Sequence, residues 1–251
     1  MTATYEFRQS WLSTFMQCPE QARAEMYGEV EREESDSTAC GTAVHAGIEY
    51  CLQSRIDGEP YGSTPYDVIE QTLADLSPWV RTKYSKRRVH ELAMQGFTNF
   101  ERLILPEVKP VAVEKSFNVQ FGFSPDVRLK GTMDCVDERG FVWDWKTGAR
   151  SMEHWEKHRW AVQPTVYCWA EQCAEFRYGI MLHSNEVQLL RVTRDQRHFD
   201  WLYKQCQQIV RLIESGLPTW PLNDSGWHCS PSWCANWQNC KGSVMGDDWK
   251  Q

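Results

Sequence analysis

Hydrophobic and polar positions follow two different periods along this chain, and the change falls near residue 110. Before it, apolar residues recur every three or four positions, which predicts amphipathic helices over 8–27 with a break near Pro19, 38–55, 65–76 and 89–105. After it, apolar and polar residues alternate, which predicts strands over 111–121, 127–137, 141–148, 178–182 and 187–193. The helical period returns over 151–174 and 195–215. Helices and strands mixed in this way predict an α/β domain.

A single domain accounts for the whole chain, since 251 residues suffice for one substantial α/β core. No internal repeat, low-complexity tract or linker divides the sequence. We therefore expect one domain over 1–251 with three parts. These are a mainly helical part over 1–110, a sheet core with the active site over 111–194, and a last helix with a cysteine-rich segment over 195–251.

A tight turn at 138–140 predicts a β-hairpin within residues 127–148. Three-residue hairpin loops usually end with a residue in the left-handed region, and Gly140 adopts it at little cost. Counting back from the turn along both strands places Asp134 directly opposite Asp144. Opposed residues point to the same side of a sheet, and the alternation of side chains puts Lys146 there as well.

Two carboxylates that face each other on a half-buried sheet repel unless a cation lies between them. Oxygen ligands of this kind suit a hard divalent ion such as Mg²⁺ or Mn²⁺. An Asp-x-Lys triplet alone is more typical of a solvated strand face than of a metal site. The alternative is therefore that Asp134, Asp144 and Lys146 form an ordinary surface group.

The residues around these carboxylates resemble the signatures of a known nuclease family. Gly131-Thr-Met-Asp134 and Asp144-Trp-Lys146-Thr-Gly148 resemble the GxxD and D-Y-K-T-G motifs of RecB-like nucleases, with Trp145 where that family often has Tyr. These nucleases belong to the PD-(D/E)XK superfamily, which includes AddB-type subunits and the CRISPR-associated RecB-like exonucleases. The resemblance implies a restriction-endonuclease-like core, with a central mixed β-sheet flanked by helices.

Two residues outside the hairpin match further motifs of this family. Gly41-Thr-Ala-Val-His45 resembles a G-x-x-x-H motif, in which the histidine is a metal ligand that reaches in from a helix beside the sheet. Glu114 matches the glutamate on the preceding strand, whose implied role is to support the metal site or hold the lysine. Without the resemblance, His45 would be a packed or surface histidine and Glu114 a surface glutamate.

The alternation over 111–121 predicts that Val111, Val113, Phe117, Val119 and Phe121 share one buried face, with Glu114 on the other. The resemblance implies that His45, Asp134, Asp144 and the Trp145 carbonyl hold one or two Mg²⁺ or Mn²⁺ ions. Lys146 would then orient the attacking water or stabilise charge in the transition state.

Candidate DNA contacts lie on both sides of the hairpin. Gln163-Pro-Thr-Val-Tyr167 resembles the Q-x-x-x-Y motif, whose two polar residues are implied to contact DNA, and Pro164 predicts a helix start or kink there. The segment 81–88 has five basic residues in eight, which is either a solvated charge run or a phosphate-contacting patch. We assign Arg87, Arg88 and Arg159 to the DNA backbone. His154 and His158 lack the Glu of HExxH and are expected at the surface.

Three closely spaced cysteines, Cys229, Cys234 and Cys240, lie in a Trp-rich C-terminal segment. Together with the distant Cys18 they resemble the iron–sulfur nucleases, in which one N-terminal and three C-terminal cysteines hold a 4Fe-4S cluster. The common spacing there is C-x2-C-x5-C, whereas the first gap here is four residues. A zinc site, with His228 as a further ligand, is the alternative. Either centre would join the N- and C-terminal ends of the chain.

Composition limits the possible partners. The formal net charge of −7 argues against a protein that binds nucleic acid with its whole surface, but it allows a local basic groove. The 13 Trp residues provide a large surface for packing and stacking. The chain has 10 cysteines. Its first residues, Met1–Gln9, are polar and do not resemble a signal peptide, and no apolar run is long enough for a membrane span. We therefore expect a reducing cytoplasm, where clustered cysteines bind metal more often than they form disulfides.

The order of the motifs covers most of the chain and is more specific than any one of them. It implies a Mg²⁺- or Mn²⁺-dependent DNA exonuclease acting on single-stranded ends, in recombination, repair or CRISPR adaptation. The alternative is a non-catalytic DNA-binding module with a structural iron–sulfur or zinc centre. The presence of His45, Asp134, Asp144 and Lys146 favours the enzyme, because a protein without catalytic activity would not need any of these four residues. The sequence carries no signal for an oligomeric state.

Overall fold

The structure, a computed structural model, describes residues 4–31, 35–76, 83–123, 125–153, 156–224 and 226–246. Its strands are β1 (Thr4–Arg8), β2 (Pro110–Phe123), β3 (Asp126–Asp137), β4 (Val142–Gly148), β5 (Glu175–Leu182) and β6 (Val187–Thr193). Its helices are α1 (Gln9–Gln17), α2 (Pro19–Met26), α3 (Asp36–Asp57), α4 (Thr64–Asp75), α5 (Lys86–Asn99), α6 (Lys157–Trp160), α7 (Val162–Glu171), α8 (Gln196–Glu214) and α9 (Lys241–Met245). A π-helical turn (Phe100–Ile104) and a 3-10 turn (Leu105–Glu107) follow α5. Among the described helices, none has the length and apolar character of a membrane span.

The described strands form one six-stranded mixed sheet, in which two strands share one edge of β3. β2 pairs antiparallel with β3 along nearly its whole length and so covers one edge. On the other edge, β1 pairs in parallel with residues 126–130, and β4 pairs antiparallel with Cys135 and Val136. Residues 131–134 lie between these two contacts and have no strand partner there among the described residues. β4 continues beside β5 in parallel, and β6 completes the sheet.

The hairpin between β3 and β4 has the predicted register. Cys135 pairs with Trp143 and Val136 with Val142, which is the offset that sets Asp134 opposite Asp144. Gly140 has a φ of +75°. The Asp137 N–H donates to the Phe141 carbonyl over 3.0 Å. The turn and the register predicted from the sequence are thus confirmed.

Two hydrophobic cores cover the sheet on opposite faces. One is formed with α1, α7 and α8, and includes Leu12, Val166 and Ile209. The other is formed with α3, α4 and α5, and takes in Trp143 and Trp145, each 1% exposed. Because side chains alternate along β4, Asp144 and Lys146 point away from the two tryptophans.

β2 changes the face that it buries partway along its length. Val113 packs in the core of α3, whereas Phe117 packs against the core of α7. The change centres on Glu114, whose φ of +47° is left-handed. Val111 is 55% exposed. The prediction of a single buried face over 111–121 is therefore wrong, because the left-handed residue reverses the alternation.

Two elements differ from the sequence prediction. β1 joins the sheet where the pattern predicts no strand, because five residues with one buried side chain, Phe7, are too short to show a period. The helix predicted over 151–174 is two shorter helices, α6 and α7, with a left-handed Glu156 before α6. Pro164 lies in the first turn of α7, so the helix start predicted there is confirmed.

The two ends of the chain meet at a buried carboxylate. Glu20 in α2 is 5% exposed, accepts a hydrogen bond from the Trp220 N–H at 2.6 Å and pairs with Arg23 at 2.8 Å. The Asn223 side chain donates to the Gln17 carbonyl at 2.6 Å. Together with the packing of the Trp220 ring against Trp11 and Phe15, these contacts hold the C-terminal segment against α1 and α2.

We expect Glu20→Gln to lower the free energy of unfolding by about 3 kcal/mol, because Arg23 then loses its buried charged partner. Glu29→Gln is the matched control, since Glu29 pairs with the same guanidinium at 2.6 Å but its side chain is 42% exposed. Urea denaturation should show a much smaller loss for the control. Equal losses would mean that Glu20 does not hold the two ends together.

Candidate active site

The candidate site lies along the stretch of β3 edge between β1 and β4. Asp134 of β3 and Asp144 of β4 stand opposite each other; the Asp134 side chain is 13% exposed and Asp144 is 2% exposed. The Asp134 carboxylate accepts a hydrogen bond from the Trp145 N–H at 2.8 Å. Lys146 Nζ lies 2.7 Å from Asp144 Oδ2. The structure thus brings together the two carboxylates and the lysine that the hairpin register predicted.

His45 reaches this site from α3. The helix runs along β4, so that a Cβ at Gly41 would lie 3.5 Å from Thr147 Oγ1. One turn further, His45 Nδ1 lies 3.4 Å from Asp134 Oδ2, and Nε2 lies 2.8 Å from the Trp145 carbonyl oxygen. The imidazole therefore contacts two of the groups with which it was predicted to share a metal ion.

Burial and crowded charge perturb the titratable groups of the site. Burial, and then the charge of Asp144, raise the pKa of Asp134 well above its usual value. Burial lowers the pKa of His45, which favours the neutral imidazole. Burial also acts to lower the pKa of Lys146, but the charges of Asp144 and Asp134 outweigh it and raise this pKa overall. A bound cation would relieve the repulsion between the two carboxylates.

α7 supports the site from the opposite face of the sheet to α3. Gln163 Nε2 donates to Asp144 Oδ1 at 2.5 Å. The Tyr167 hydroxyl donates to the Thr132 carbonyl at 2.7 Å, on the unpaired edge of β3. A Cβ at Gly131 would lie 3.6 Å from the Tyr167 ring, which is 5% exposed. The geometry does not support the predicted direct contact of Tyr167 with DNA, because its ring and hydroxyl are engaged inside the protein.

Glu114 stands opposite Asp134 across the ladder between β2 and β3, as the flanking pairs Val113–Cys135 and Lys115–Met133 require. Its left-handed backbone costs about 1–2 kcal/mol in a residue with a Cβ. Burial and the charges of Glu49 and Asp144 raise the pKa of Glu114. A strained carboxyl beside the Asp134–Asp144 pair suits the supporting role predicted for it.

Residues 7–241 match the sequence profile of the PD-(D/E)XK nuclease superfamily. The chain belongs to this superfamily. PD-(D/E)XK nucleases generally use divalent metal ions such as Mg²⁺. The superfamily predicted from the motifs is therefore confirmed.

Solved structures of similar shape are known. A protein from Eubacterium rectale that is named as an exonuclease candidate shares 12% identity, with a TM-score of 0.58 over 84% of this chain and 82% of that chain. The protein SSO0001 also shares 12% identity, with a TM-score of 0.41 over 88% of this chain and 93% of its own. Among curated proteins, no significant match was found. At 12% identity the Eubacterium rectale protein shows the fold of this PD-(D/E)XK chain and nothing finer.

The arginines predicted to contact DNA lie on the surface of this PD-(D/E)XK core. Arg87 and Arg88 begin α5 and share Glu91, at 2.9 and 3.3 Å. Arg159 on α6 has a 65% exposed side chain and pairs with Glu156 at 3.3 Å. All three side chains are exposed to solvent.

The basic run 81–88 and the pair His154 and His158 were also predicted to lie at the surface. Arg81, Thr82 and His154 lie outside the described residues. The remaining histidine of that pair, His158, is 7% exposed. The prediction that His158 lies at the surface is therefore wrong, because α6 turns it inward.

Arg194 is a buried residue of the PD-(D/E)XK core that the sequence patterns missed. It is 6% exposed and donates to the Thr165 hydroxyl at 2.8 Å and to the carbonyls of Arg159 and Ala161 at 2.9 and 3.2 Å. These bonds fix the segment that leads into α7, and with it the position of Gln163. A single arginine that binds distant carbonyls leaves no periodic signal in a sequence.

The four cysteines predicted to hold a cluster lie where the chain ends meet. Cys18 follows α1, while Cys229, Cys234 and Cys240 lie in the C-terminal segment, and all four are half-buried free thiols. Burial raises the pKa of Cys234 to about 11, with further contributions from the charges of the other three. The four thiols are therefore within electrostatic reach of one another.

Within the described residues, no three His, Cys, Asp or Glu side chains are as close together as a bound metal ion requires. The donor sets still have the chemistry of metal sites. The sheet offers carboxylates and a neutral imidazole, which suit a hard divalent ion. The chain ends offer four thiols, which suit an iron–sulfur cluster or zinc. His228 Nε2 is buried without a hydrogen-bond partner in the described structure, which favours neither choice over the other.

We expect Glu114→Gly to be more stable than Glu114→Ala by about 1 kcal/mol, because only alanine keeps a Cβ in the left-handed conformation. Both variants lose the carboxylate, so urea denaturation compares the backbone alone. At the neighbouring strand residue Lys115 the order should reverse, since glycine weakens an ordinary strand position. The same order at both positions would show that residue 114 is not strained.

Proposed function

We propose that this protein is a Mg²⁺- or Mn²⁺-dependent deoxyribonuclease that degrades DNA from single-stranded ends. The observation that carries the proposal is the convergence of Asp134, Asp144 and Lys146 at the β3 edge, with His45 approaching from α3. Membership in the PD-(D/E)XK superfamily supports nuclease chemistry. The exonuclease mode, and a place in recombination, repair or CRISPR adaptation, follow from the resemblance to RecB-like nucleases.

The divalent ion would be held by His45, Asp134, Asp144 and the Trp145 carbonyl. The chemistry of these groups suits such an ion. His45 lies 3.4 Å from Asp134 and 2.8 Å from the Trp145 carbonyl oxygen, and the ion would draw the described side chains closer than they now lie. The ion would also offset the repulsion that helps to raise the pKa of Asp134. When bound, it lowers the pKa of a water molecule and neutralises charge on the scissile phosphate.

Lys146 supplies the positive charge that the chain itself brings to the reaction. Its side chain is 40% exposed while Nζ stays 2.7 Å from Asp144, so it is anchored and can still reach a substrate. In that position it would orient the attacking water or stabilise the negative charge that develops on the phosphate. Gln163 holds Asp144 from the other side and fixes the orientation of the carboxylate.

The DNA strand would cross the carboxyl end of β4, between α5 and α6. Arg87 and Arg88 lie on the α5 side and Arg159 on the α6 side, where their guanidinium groups can track phosphates. Tyr167 has a supporting role here, because its hydroxyl satisfies the Thr132 carbonyl on the β3 edge.

At the chain ends we assign Cys18, Cys229, Cys234 and Cys240 to a structural 4Fe-4S cluster, with zinc as the alternative. The support is the set of four half-buried free thiols, which lie within electrostatic reach of one another. The Glu20–Trp220 bond brings the two ends together at this point. The cluster would stabilise that junction, and no catalytic step is assigned to it.

We expect Lys146→Ala to reduce Mn²⁺-dependent degradation of end-labelled single-stranded DNA by about 10²- to 10³-fold, the loss typical of one charge-stabilising donor. Lys130→Ala is the control, since this β3 lysine has a 32% exposed side chain and pairs with Glu6 outside the site. The control should keep the wild-type rate. Equal rates for the two variants, or no degradation by the wild-type protein, would favour a non-catalytic DNA-binding module.

Protein purified without oxygen should contain iron and absorb near about 400 nm, as thiolate-bound clusters do. Cys240→Ser should lose both signals, because it removes one of four ligands. Cys173→Ser is the control, a half-buried free cysteine outside the group. If the wild-type protein is colourless and contains stoichiometric zinc, the four cysteines form a zinc site and not an iron–sulfur cluster.

A further inference from the structure

Positive side chains gather beyond the carboxyl ends of β4 and β5, outside the residues assigned to catalysis. His183 directly follows β5, and its N–H donates to the Gly148 carbonyl at 3.0 Å, so it also marks the end of β4. The Tyr84 ring meets the His183 imidazole edge-on, with 6.0 Å between the ring centres. Lys83 Nζ lies 5.2 Å from the centre of the Tyr84 ring. Lys83, Tyr84 and His183 thus form one contiguous surface.

The backbone of this surface is held in place from inside the protein. Asp36, the first residue of α3, is 3% exposed, and its Oδ2 accepts the N–H groups of Lys83 and Tyr84 at 2.5 and 2.6 Å. The Gln95 side chain donates to the His183 carbonyl at 3.4 Å. Side chains on a fixed backbone can bind a ligand at a lower entropic cost.

The positive charges of this surface are only partly balanced, by Asp36 beneath the Lys83 and Tyr84 backbone and by Glu91 beside Arg88. Burial lowers the pKa of His183, and the positive charges of Arg88 and Lys83 lower it further, so both lie near the imidazole. Among the described residues, no carboxylate pairs with the Lys83 ammonium group, and Arg88 shares its partner Glu91 with Arg87. Like charges arranged in this way are unfavourable unless an anion lies among them.

α3 and β4 both connect this surface to the candidate active site. His45 contacts the site, and Asp36, which binds the Lys83 and Tyr84 backbone, lies nine residues earlier on the same helix. At a rise of about 1.5 Å per residue, the two positions are about 14 Å apart. His183 lies nearer, because it bonds to Gly148, two strand residues beyond Lys146, or about 7 Å along β4. At about 3.4 Å per nucleotide, two to four nucleotides span these distances.

We propose that Lys83, Arg88 and His183, arranged around Tyr84, form a subsite that binds one backbone phosphate of the DNA strand, about two to four nucleotides from the cleaved bond. The subsite rests on the proposed function, because it requires a DNA strand in the active site. Its ligand is a phosphodiester, since ammonium and guanidinium groups are the side chains that neutralise backbone phosphates. The contact would anchor the strand while its end lies beside Lys146.

The first test measures DNA binding by fluorescence anisotropy in a Lys146→Ala background, so that cleavage does not interfere. Adding Lys83→Gln should weaken binding of a labelled single strand by about two- to fivefold, as for one exposed ion pair. The slope of log affinity against log salt should become shallower by about 0.7, the value for one lost contact on a single strand. Lys109→Gln is the matched control, an exposed lysine that pairs with Glu138 beside the hairpin turn. It should change neither quantity.

The second test places a single neutral methylphosphonate at successive positions along the strand. In the Lys146→Ala background, one position about two to six nucleotides from the end, a window set roughly by the spacings along α3 and β4, should lower affinity. The Lys83→Gln protein should be insensitive at that same position and unchanged in sensitivity elsewhere. This pairing links the residue to a particular phosphate and separates DNA from a free anion such as inorganic phosphate.

Equal binding and equal salt slopes for Lys83→Gln and Lys109→Gln would overturn the subsite. So would a methylphosphonate profile that Lys83→Gln leaves unchanged. Failure of the proposed function is seen separately, as the absence of any Lys146-dependent degradation, because both binding tests are made without cleavage.

Discussion

The structure depends on one stretch of strand edge. Within the described part of the chain, residues 131–134 of β3 have no strand partner on the edge between β1 and β4. β4 pairs with β3 only at Cys135 and Val136, whereas it pairs with β5 along its whole length. An unpaired edge inside a protein must have its polar groups satisfied. The Tyr167 hydroxyl donates a hydrogen bond to the Thr132 carbonyl, and the Asp134 carboxylate accepts one from the Trp145 N–H. The side chains that complete the edge are therefore the same ones that shape the candidate active site.

This arrangement concentrates unfavourable energy at one place. Asp134 and Asp144 face each other in a buried position, Glu114 lies opposite Asp134, and the Glu114 backbone is left-handed. His45, Lys146 and Gln163 each contact one of the two aspartates, which limits the cost without removing it. Strain and repulsion of this kind persist only where the surrounding structure enforces them, and they are typical of functional sites.

α3 connects the parts of the proposed nuclease. Its first residue, Asp36, binds the backbone N–H groups of Lys83 and Tyr84. Further along the same helix, His45 contacts the sheet at the Trp145 carbonyl. Because a helix is stiff over this length, α3 fixes the spacing between the backbone of Lys83 and Tyr84 and the His45 imidazole. The N- and C-terminal segments meet at Glu20 and Trp220, beside the half-buried Cys18.

The sequence by itself determined the hairpin and much of the site. Gly140 allows a left-handed turn residue, and the hairpin register that follows sets Asp134 opposite Asp144, so local geometry was sufficient for the register. The order of short motifs was sufficient for the superfamily. Only the tertiary structure decided that β2 changes face at Glu114, that β1 joins the sheet, that Tyr167 and His158 are buried, that Arg194 holds the segment before α7, and that His183 meets Lys83 and Tyr84. These features join residues far apart in the chain, or need a backbone conformation that local preference opposes. Only packing of the whole domain can therefore supply the free energy that selects them.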